Sequence, residues 1–109
     1  MILIPLKTLA AYKETVTLEG APFDLTFLWN SREGAWFLSI DRDNVRLLSG
    51  IKIVNNWEII GRFANVLLPR GLLMVIDLAG LNELPGRDNF GTDFKLAYLT
   101  EYEKENGVI

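Results

Sequence analysis

The sequence contains neither cysteine nor histidine in 109 residues. Without cysteine, the chain cannot form disulfides, thiolate metal sites or a cysteine nucleophile. Without histidine, it lacks the commonest metal ligand and the commonest general acid–base group at neutral pH. A Ser-His-Asp triad and a His-Glu-x-x-His zinc site are therefore both excluded. We expect no catalytic residues, no metal and no cofactor, and we interpret the protein as one that is not an enzyme.

Long hydrophobic runs and an excess of basic charge are also missing. No stretch reaches the ~18 apolar residues that a membrane helix requires. The apolar start, residues 1–6, is too short for a signal sequence and is interrupted by Pro5. We therefore expect a soluble, unprocessed protein with no membrane partner. The net charge of −3 and the pI of about 4.9 argue against nucleic acid, because a phosphate-binding domain normally has a basic face.

The sequence is rich in hydrophobic residues, which recur in a regular pattern. Half of the residues are hydrophobic, which is enough for one core in a chain of this length. We predict one β domain over residues 1–109, with an extended arm or edge strand at residues 1–6 and a frayed C-terminal tail at residues 101–109.

Period-two alternation between apolar and polar residues predicts strands. Gly50 indicates a bulge or bend inside one of these strands. Residues 72–78 are apolar except for Asp77, a pattern typical of a strand buried on both faces. Residues 55–68 fit either strand or helix, with strand favoured. The predicted fold is all-β and mainly antiparallel, a small β-sandwich or partly open barrel built from hairpins, in which one short helix is also allowed. The predicted strands are residues 14–19, 23–29, 36–40, 45–54, 72–78 and 92–100.

Turn residues separate these segments. Gly20-Ala21-Pro22, residues 30–34 and residues 41–44 are predicted to close hairpins. The acidic residues in 41–44 do not fit a calcium loop, because Val45 and Arg46 follow where further oxygen ligands are needed. Residues 79–91 form a long loop, and its Gly-Arg-Asp-Asn-Phe-Gly stretch lacks the Lys-Ser/Thr of a phosphate loop.

The residues alone leave two other kinds of functional site possible, one for binding sugars and one for hydrolysing glycosides. Trp29 and Trp36 flank the loop at residues 30–34, so they are expected to form a cross-strand aromatic pair in the core. The alternative is a sugar-stacking platform that also uses Trp57. Paired carboxylates could also hydrolyse glycosides without histidine. The candidates are Asp24, Glu33, Asp77, Asp88 and Asp93.

Several short motifs, weak singly, carry a resemblance through their order and spacing. Together they resemble the small plug-type domain of the phage tail baseplate, first described in a cyanophage, over residues 2–100. The motifs are Ile4-Pro5-Leu6, Val16-Thr17-Leu18-Glu19-Gly20, Leu25-Thr26-Phe27-Leu28-Trp29-Asn30, Trp36-Phe37-Leu38-Ser39-Ile40, Leu48-Ser49-Gly50-Ile51, Gly71-Leu72-Leu73 and Gly91-Thr92-Asp93-Phe94-Lys95-Leu96-Ala97-Tyr98-Leu99.

The resemblance implies a structural protein of the virion, made in the host cytoplasm and located near the central axis of the baseplate. Its partners would be tube, hub or spike proteins, with several copies forming a homo-oligomer or symmetric complex. The competing hypotheses are a carbohydrate-binding β-sandwich and a small cell-wall hydrolase. The residues expected at the interface are Ile2, Leu3, Ile4, Leu81, Leu84 and Phe90.

Overall fold

The computed structural model describes residues 1–7, 9–54, 58–60, 67–80 and 83–106. These residues form two antiparallel sheets, of order β1-β7-β6 and β2-β3-β4-β5, which are not closed into a barrel. This confirms the all-β, mainly antiparallel fold. The elements are β1 (Ile2–Ile4), β2 (Ala11–Leu18), β3 (Ala21–Asn30), β4 (Ala35–Arg42), β5 (Val45–Lys52), β6 (Leu72–Asp77), β7 (Phe94–Leu99) and α1 (Glu101–Glu105).

The four-stranded sheet is a meander whose strands follow one another along the chain. Asp43 and Asn44 close the β4–β5 hairpin with φ values of 52° and 64°, which confirms the predicted turn. The β2–β3 turn lies one residue earlier than expected. Glu19 and Gly20 take the positive φ values, while Ala21 already begins β3.

The predicted bulge at Gly50 is confirmed. The β4–β5 register shifts between Leu38 and Ile40, and Gly50 has a φ of 59°. The Gly50 amide donates a hydrogen bond of 2.9 Å to the Ser39 hydroxyl. The otherwise buried Ser39 side chain thus has a partner, as buried polar groups require.

The three-stranded sheet joins the two ends of the chain. Its central strand, β7, pairs with β1 on one side and β6 on the other. Ala97 lies opposite Leu3 of β1 and opposite Met74 of β6. Residues from both sheets contribute to one hydrophobic core, so this non-local pairing closes the domain.

Three segments differ from expectation or fall outside the described residues. In β6 only Leu73 and Val75 are fully buried, while the alternate residues are half-buried, so one face alone carries the core. Residues 101–105, expected to fray, form α1. Most of residues 55–68, whose state was left open, lies outside the described residues. Helices in the described ranges are too short to cross a membrane.

Candidate protein–protein interface

The N-terminal edge of the three-stranded sheet exposes a contiguous run of apolar side chains. Met1, Ile2 and Leu3 are 55%, 40% and 58% exposed. Ile4 alternates inward and is only 4% exposed, because it packs in the core that both sheets share. Of the three β1 residues expected at an interface, Ile2 and Leu3 are therefore exposed, whereas Ile4 anchors the strand in the core.

An ion pair holds the beginning of this edge in place. The N-terminal ammonium of Met1 contacts the carboxylate of Glu103 in α1. The same carboxylate accepts a hydrogen bond from the Thr100 amide, and the Thr100 hydroxyl accepts one from the Glu103 amide. These contacts form a capping box. The hydrogen bond to the terminal ammonium is the main cause that lowers the pKa of Glu103.

Phe90, the aromatic residue of the expected interface, lies in the core instead. It is 1% exposed, stacks on Trp36 at a centroid distance of 4.9 Å, and meets the edge of Phe27 at 5.9 Å. The turn that positions Phe90 is built by its neighbour Asn89, whose side-chain oxygen accepts from the Gly86 amide at 2.7 Å. Phe90 therefore has no free surface for a partner.

The same loop contains the last two expected interface residues. Leu84 is half-buried. Leu81 lies outside the described residues. A hydrogen bond of 2.9 Å from the indole N–H of Trp36 to the Gly86 carbonyl ties the described part of the loop to β4.

A second exposed apolar area lies on the outer face of the four-stranded sheet. Leu28 is 48% exposed and lies opposite the half-buried Phe37 on β4. Both line an open depression of about 560 Å³, which Trp29 and Arg32 also border. The sequence analysis did not predict this surface. Leu28 is an apolar residue where the alternation of its strand predicts a polar one, and this exception could have indicated an exposed apolar area.

A polar contact between the sheets was also missed. The Tyr98 hydroxyl donates to a carboxylate oxygen of Glu19 at 2.7 Å and accepts from the Gly71 amide at 2.8 Å. The Glu101 amide donates to the same Glu19 oxygen at 2.6 Å. Burial, followed by the hydrogen bond to Glu19, raises the pKa of Tyr98. The phenol is therefore neutral at physiological pH and acts as a structural donor.

A cleft of about 330 Å³ opens beside this contact. Its apolar residues include Phe23 and Leu68, while Arg42 and Arg70 lie at its rim together with Glu19 and Glu101. The Arg42 guanidinium lies over the Phe23 ring at 5.5 Å. Positive and negative groups are thus mixed along the rim, and the cleft has no dominant charge.

The tryptophans form the predicted cross-strand pair. Trp29 and Trp36 are opposite each other in β3 and β4, with ring centroids 5.5 Å apart. Trp36 is 0% exposed, so its ring cannot stack on a sugar. Trp29 is half-buried, and Trp57 lies outside the described residues.

Of the carboxylates considered for hydrolysis, Asp24, Asp77 and Asp93 are half-buried. Asp77, at the end of β6, lies opposite Phe94, the residue that follows Asp93. Asp24 accepts a hydrogen bond of 2.6 Å from the Thr15 hydroxyl on the neighbouring strand and lies 3.9 Å from the Lys13 ammonium. Glu33 and Asp88 are exposed in turns. Across the described residues, no group of three or more acidic side chains is arranged to hold a metal ion.

A family model described as "Cyanophage baseplate Pam3 plug gp18" matches residues 1–101 of this chain, a range that includes the seven strands of the described residues. A comparison with curated proteins finds no match.

Proposed function

Because the chain belongs to the cyanophage baseplate plug family, we propose that it is a plug-like protein at or near the central tube, hub or spike of a phage tail. The observation that carries this proposal is the family match over residues 1–101. Membership of the family indicates a structural protein of the tail baseplate that associates with other baseplate components. The family is not known as enzymatic.

The proposed working surface is the apolar N-terminal edge. Ile2 and Leu3 expose apolar area at this edge, and such area is typically covered by a partner in permanent assemblies. Leu84 and Leu81 remain candidates from the sequence. Ile4 and Phe90 serve the core, so we propose that they support this surface without contacting the partner.

The proposed partners are the tube, hub or spike proteins, with this chain present in several copies in a symmetric complex. Synthesis in the host cytoplasm would precede assembly into the virion. The formal charge of −3 gives the chain no excess of basic charge for nucleic acid binding. Apolar contacts are therefore proposed as the main source of affinity, since apolar burial dominates most protein–protein association.

The experiment uses the phage that encodes this chain. Its gene is disrupted, an epitope-tagged copy is supplied in trans, and assembled tails are purified and labelled with an antibody to the tag. The expected result is a label at the baseplate end of the tail and loss of functional tails without complementation. A label elsewhere on the particle, or a protein found only free in the lysate, would overturn the proposal.

A further inference from the structure

A row of side chains crosses the outer face of the four-stranded sheet and places a cation beside two apolar residues. Ala11 of β2 lies opposite Leu28 of β3, which in turn lies opposite Phe37 of β4. Lys52 of β5 completes the row opposite Phe37. Residues that pair in this way project from the same face of a sheet. The exposed Leu28 and the half-buried Phe37 therefore have the Lys52 ammonium on one side.

The β3–β4 loop places a second cation at the same two apolar residues. Arg32 lines the open depression together with Leu28 and Phe37. The side-chain oxygen of Asn30 holds the loop, because it accepts from the Arg32 and Glu33 amides at 3.0 and 3.1 Å. A loop that is ordered before binding lowers the entropy lost when a partner binds. We call this surface the outer patch, and its residues are Leu28, Phe37, Arg32 and Lys52.

Both cations of the outer patch are unpaired in the free chain. Within the described part of the chain, Arg32 and Lys52 form no ion pair. Glu33 follows Arg32 in the loop, but it does not line the depression. The patch therefore combines apolar area with positive charge that a partner can neutralise.

The acidic residues of this face lie at its other end and already have partners. Asp24 and Asp41 are opposite each other in β3 and β4. Asp24 lies 3.9 Å from the Lys13 ammonium, and the Asp41 carboxylate contacts the Arg46 guanidinium. These carboxylates are thus neutralised locally, and the excess of positive charge stays with the outer patch.

We propose that the outer patch binds a segment of another baseplate protein in which an apolar side chain stands beside carboxylates. The apolar side chain contacts Leu28 and Phe37, while the carboxylates pair with Arg32 and Lys52. Arginine and aromatic residues together are typical of the centres of protein–protein interfaces. This inference rests on the proposed function and adds a second contact to it, since the N-terminal edge belongs to the other sheet.

Charge favours a different protein over a second copy of this chain. A two-fold symmetric contact places the same patch on both sides, so Arg32 and Lys52 would face identical cations. Like charges across an interface oppose association, whereas complementary charges promote it. A neutral sugar is a poorer match than an acidic segment, because it would leave both cations unpaired and the Phe37 ring is half-buried.

Two variants at position 28 test the sign of the partner's charge. Leu28→Glu and Leu28→Lys are each supplied in trans to the gene-disrupted phage, and their incorporation into purified tails is compared. Both remove the apolar contact, but only the glutamate repels an acidic partner. The glutamate variant should therefore incorporate roughly tenfold less than the lysine variant, equivalent to ~1.4 kcal/mol. Equal losses, or a greater loss from lysine, would overturn the inference.

Thermal unfolding of both purified variants separates assembly from folding. Because Arg32 lies in the same depression as Leu28, a glutamate at position 28 should stabilise the free fold relative to a lysine. A folding defect would therefore reverse the expected order of incorporation. If either variant does not fold, Lys52→Glu against Lys52→Arg provides the same comparison at an exposed position.

Cross-linking with a water-soluble carbodiimide identifies the partner group directly. This reagent joins a lysine amine to a carboxylate that is in contact with it. In assembled tails we expect Lys52 to link to an Asp or Glu beside an apolar residue in a different baseplate protein, identified by mass spectrometry of the linked peptides. Lys52→Arg is the matched control, because it keeps the charge but has no reactive amine. This variant should assemble and lose the link.

Other results would overturn the inference. These are a link from Lys52 to a second copy of this chain, no link from Lys52 to another protein, or position 28 variants that assemble normally into tails that no longer adsorb to host cells. The last result would indicate a cell-surface glycan as the ligand. Failure here is distinguishable from failure of the proposed function, because wild-type protein found at the baseplate supports the function whatever the outer patch contacts.

Discussion

The phenol of Tyr98 donates a hydrogen bond of 2.7 Å to the carboxylate of Glu19, a residue 79 positions earlier in the chain. Glu19 has a φ of 53°, unusual for a residue other than glycine. This strained turn connects two strands of the four-stranded sheet, while Tyr98 belongs to the central strand of the other sheet. The contact therefore fastens the two sheets together at a position where the backbone itself is strained.

Replacing Tyr98 with phenylalanine should destabilise the domain. The change leaves the Gly71 amide without its acceptor and the Glu19 carboxylate without one donor. Losing a partner from a buried polar group costs about 1–3 kcal/mol in free energy of unfolding, which urea denaturation would measure. Tyr102→Phe is the control, because Tyr102 is 74% exposed. Equal stability losses in the two variants would contradict the role of the Tyr98 hydroxyl.

Gly71→Ala should destabilise the domain through a steric clash. An added Cβ would lie 1.8 Å from the Leu99 carbonyl oxygen and 2.6 Å from the Tyr98 hydroxyl. Backbone must move to relieve this contact, so a cost of ~3 kcal/mol or more is expected. Gly86→Ala is the milder comparison, since its nearest contact is the end of the Asn89 side chain at 3.1 Å. A melting temperature for Gly71→Ala at or above that of Gly86→Ala would refute the prediction.

Glu14 should make stability depend on pH. Its side chain lies on the core-facing side of β2, and one carboxylate oxygen is buried without a hydrogen-bond partner. Burial raises the pKa of Glu14, partly offset by the charge of Lys7. The folded state therefore holds this proton more tightly than the unfolded state, and the Glu14 contribution to stability increases as the pH falls through the raised pKa.

The test of this pH dependence is Glu14→Gln. The variant should be more stable than the wild type at neutral pH, and the difference should shrink as the pH falls toward the ordinary carboxyl pKa. Glu33→Gln, at an exposed turn position, serves as the control in denaturation curves recorded at several pH values. A Glu14→Gln variant that is less stable at neutral pH would show that the carboxylate gains more from Lys7 than it loses by burial.

Phe90→Ala should destabilise the core and change the tryptophan fluorescence. The ring stacks on Trp36 and contacts Phe27, so its removal should cost about 3–5 kcal/mol and bring water closer to the Trp36 indole. Phe37→Ala, which removes a half-buried ring from the outer face, should cost less. If Phe90 were an interface residue exposed in the free chain, its removal would leave both the melting temperature and the emission maximum unchanged.

Most features of the hairpins follow from the local sequence pattern. The apolar face of Phe23, Leu25 and Phe27 follows from period-two alternation, and all three are buried as that pattern predicts. The hairpin turn at Asp43 and Asn44 follows from residues that tolerate positive φ. The β2–β3 turn was predicted one residue too late, because Glu19 has little intrinsic preference for this conformation.

The exposure of the expected interface residues was predictable only in part. Ile2 and Leu3 are exposed, but Ile4 and Phe90 are in the core. Phe90 lies between turn residues, and this local pattern predicts an exposed loop residue. In the structure, the loop folds back and packs the Phe90 ring against Trp36. The exposed Leu28 beside Phe37 was not selected, although it interrupts the alternation of β3.

By itself, the sequence determined the position of most strands and which face of each hairpin is apolar. The absence of histidine and cysteine also excluded the catalytic and metal chemistry that depends on them. The ordered motifs of the sequence also indicated the family. These properties depend on residue identity or on short-range periodicity. Tertiary structure alone decided that β1 pairs with β7 and that Glu19 meets Tyr98. Such contacts join distant parts of the chain. They form only where apolar burial and hydrogen bonding offset the entropy that is lost when the intervening loops close.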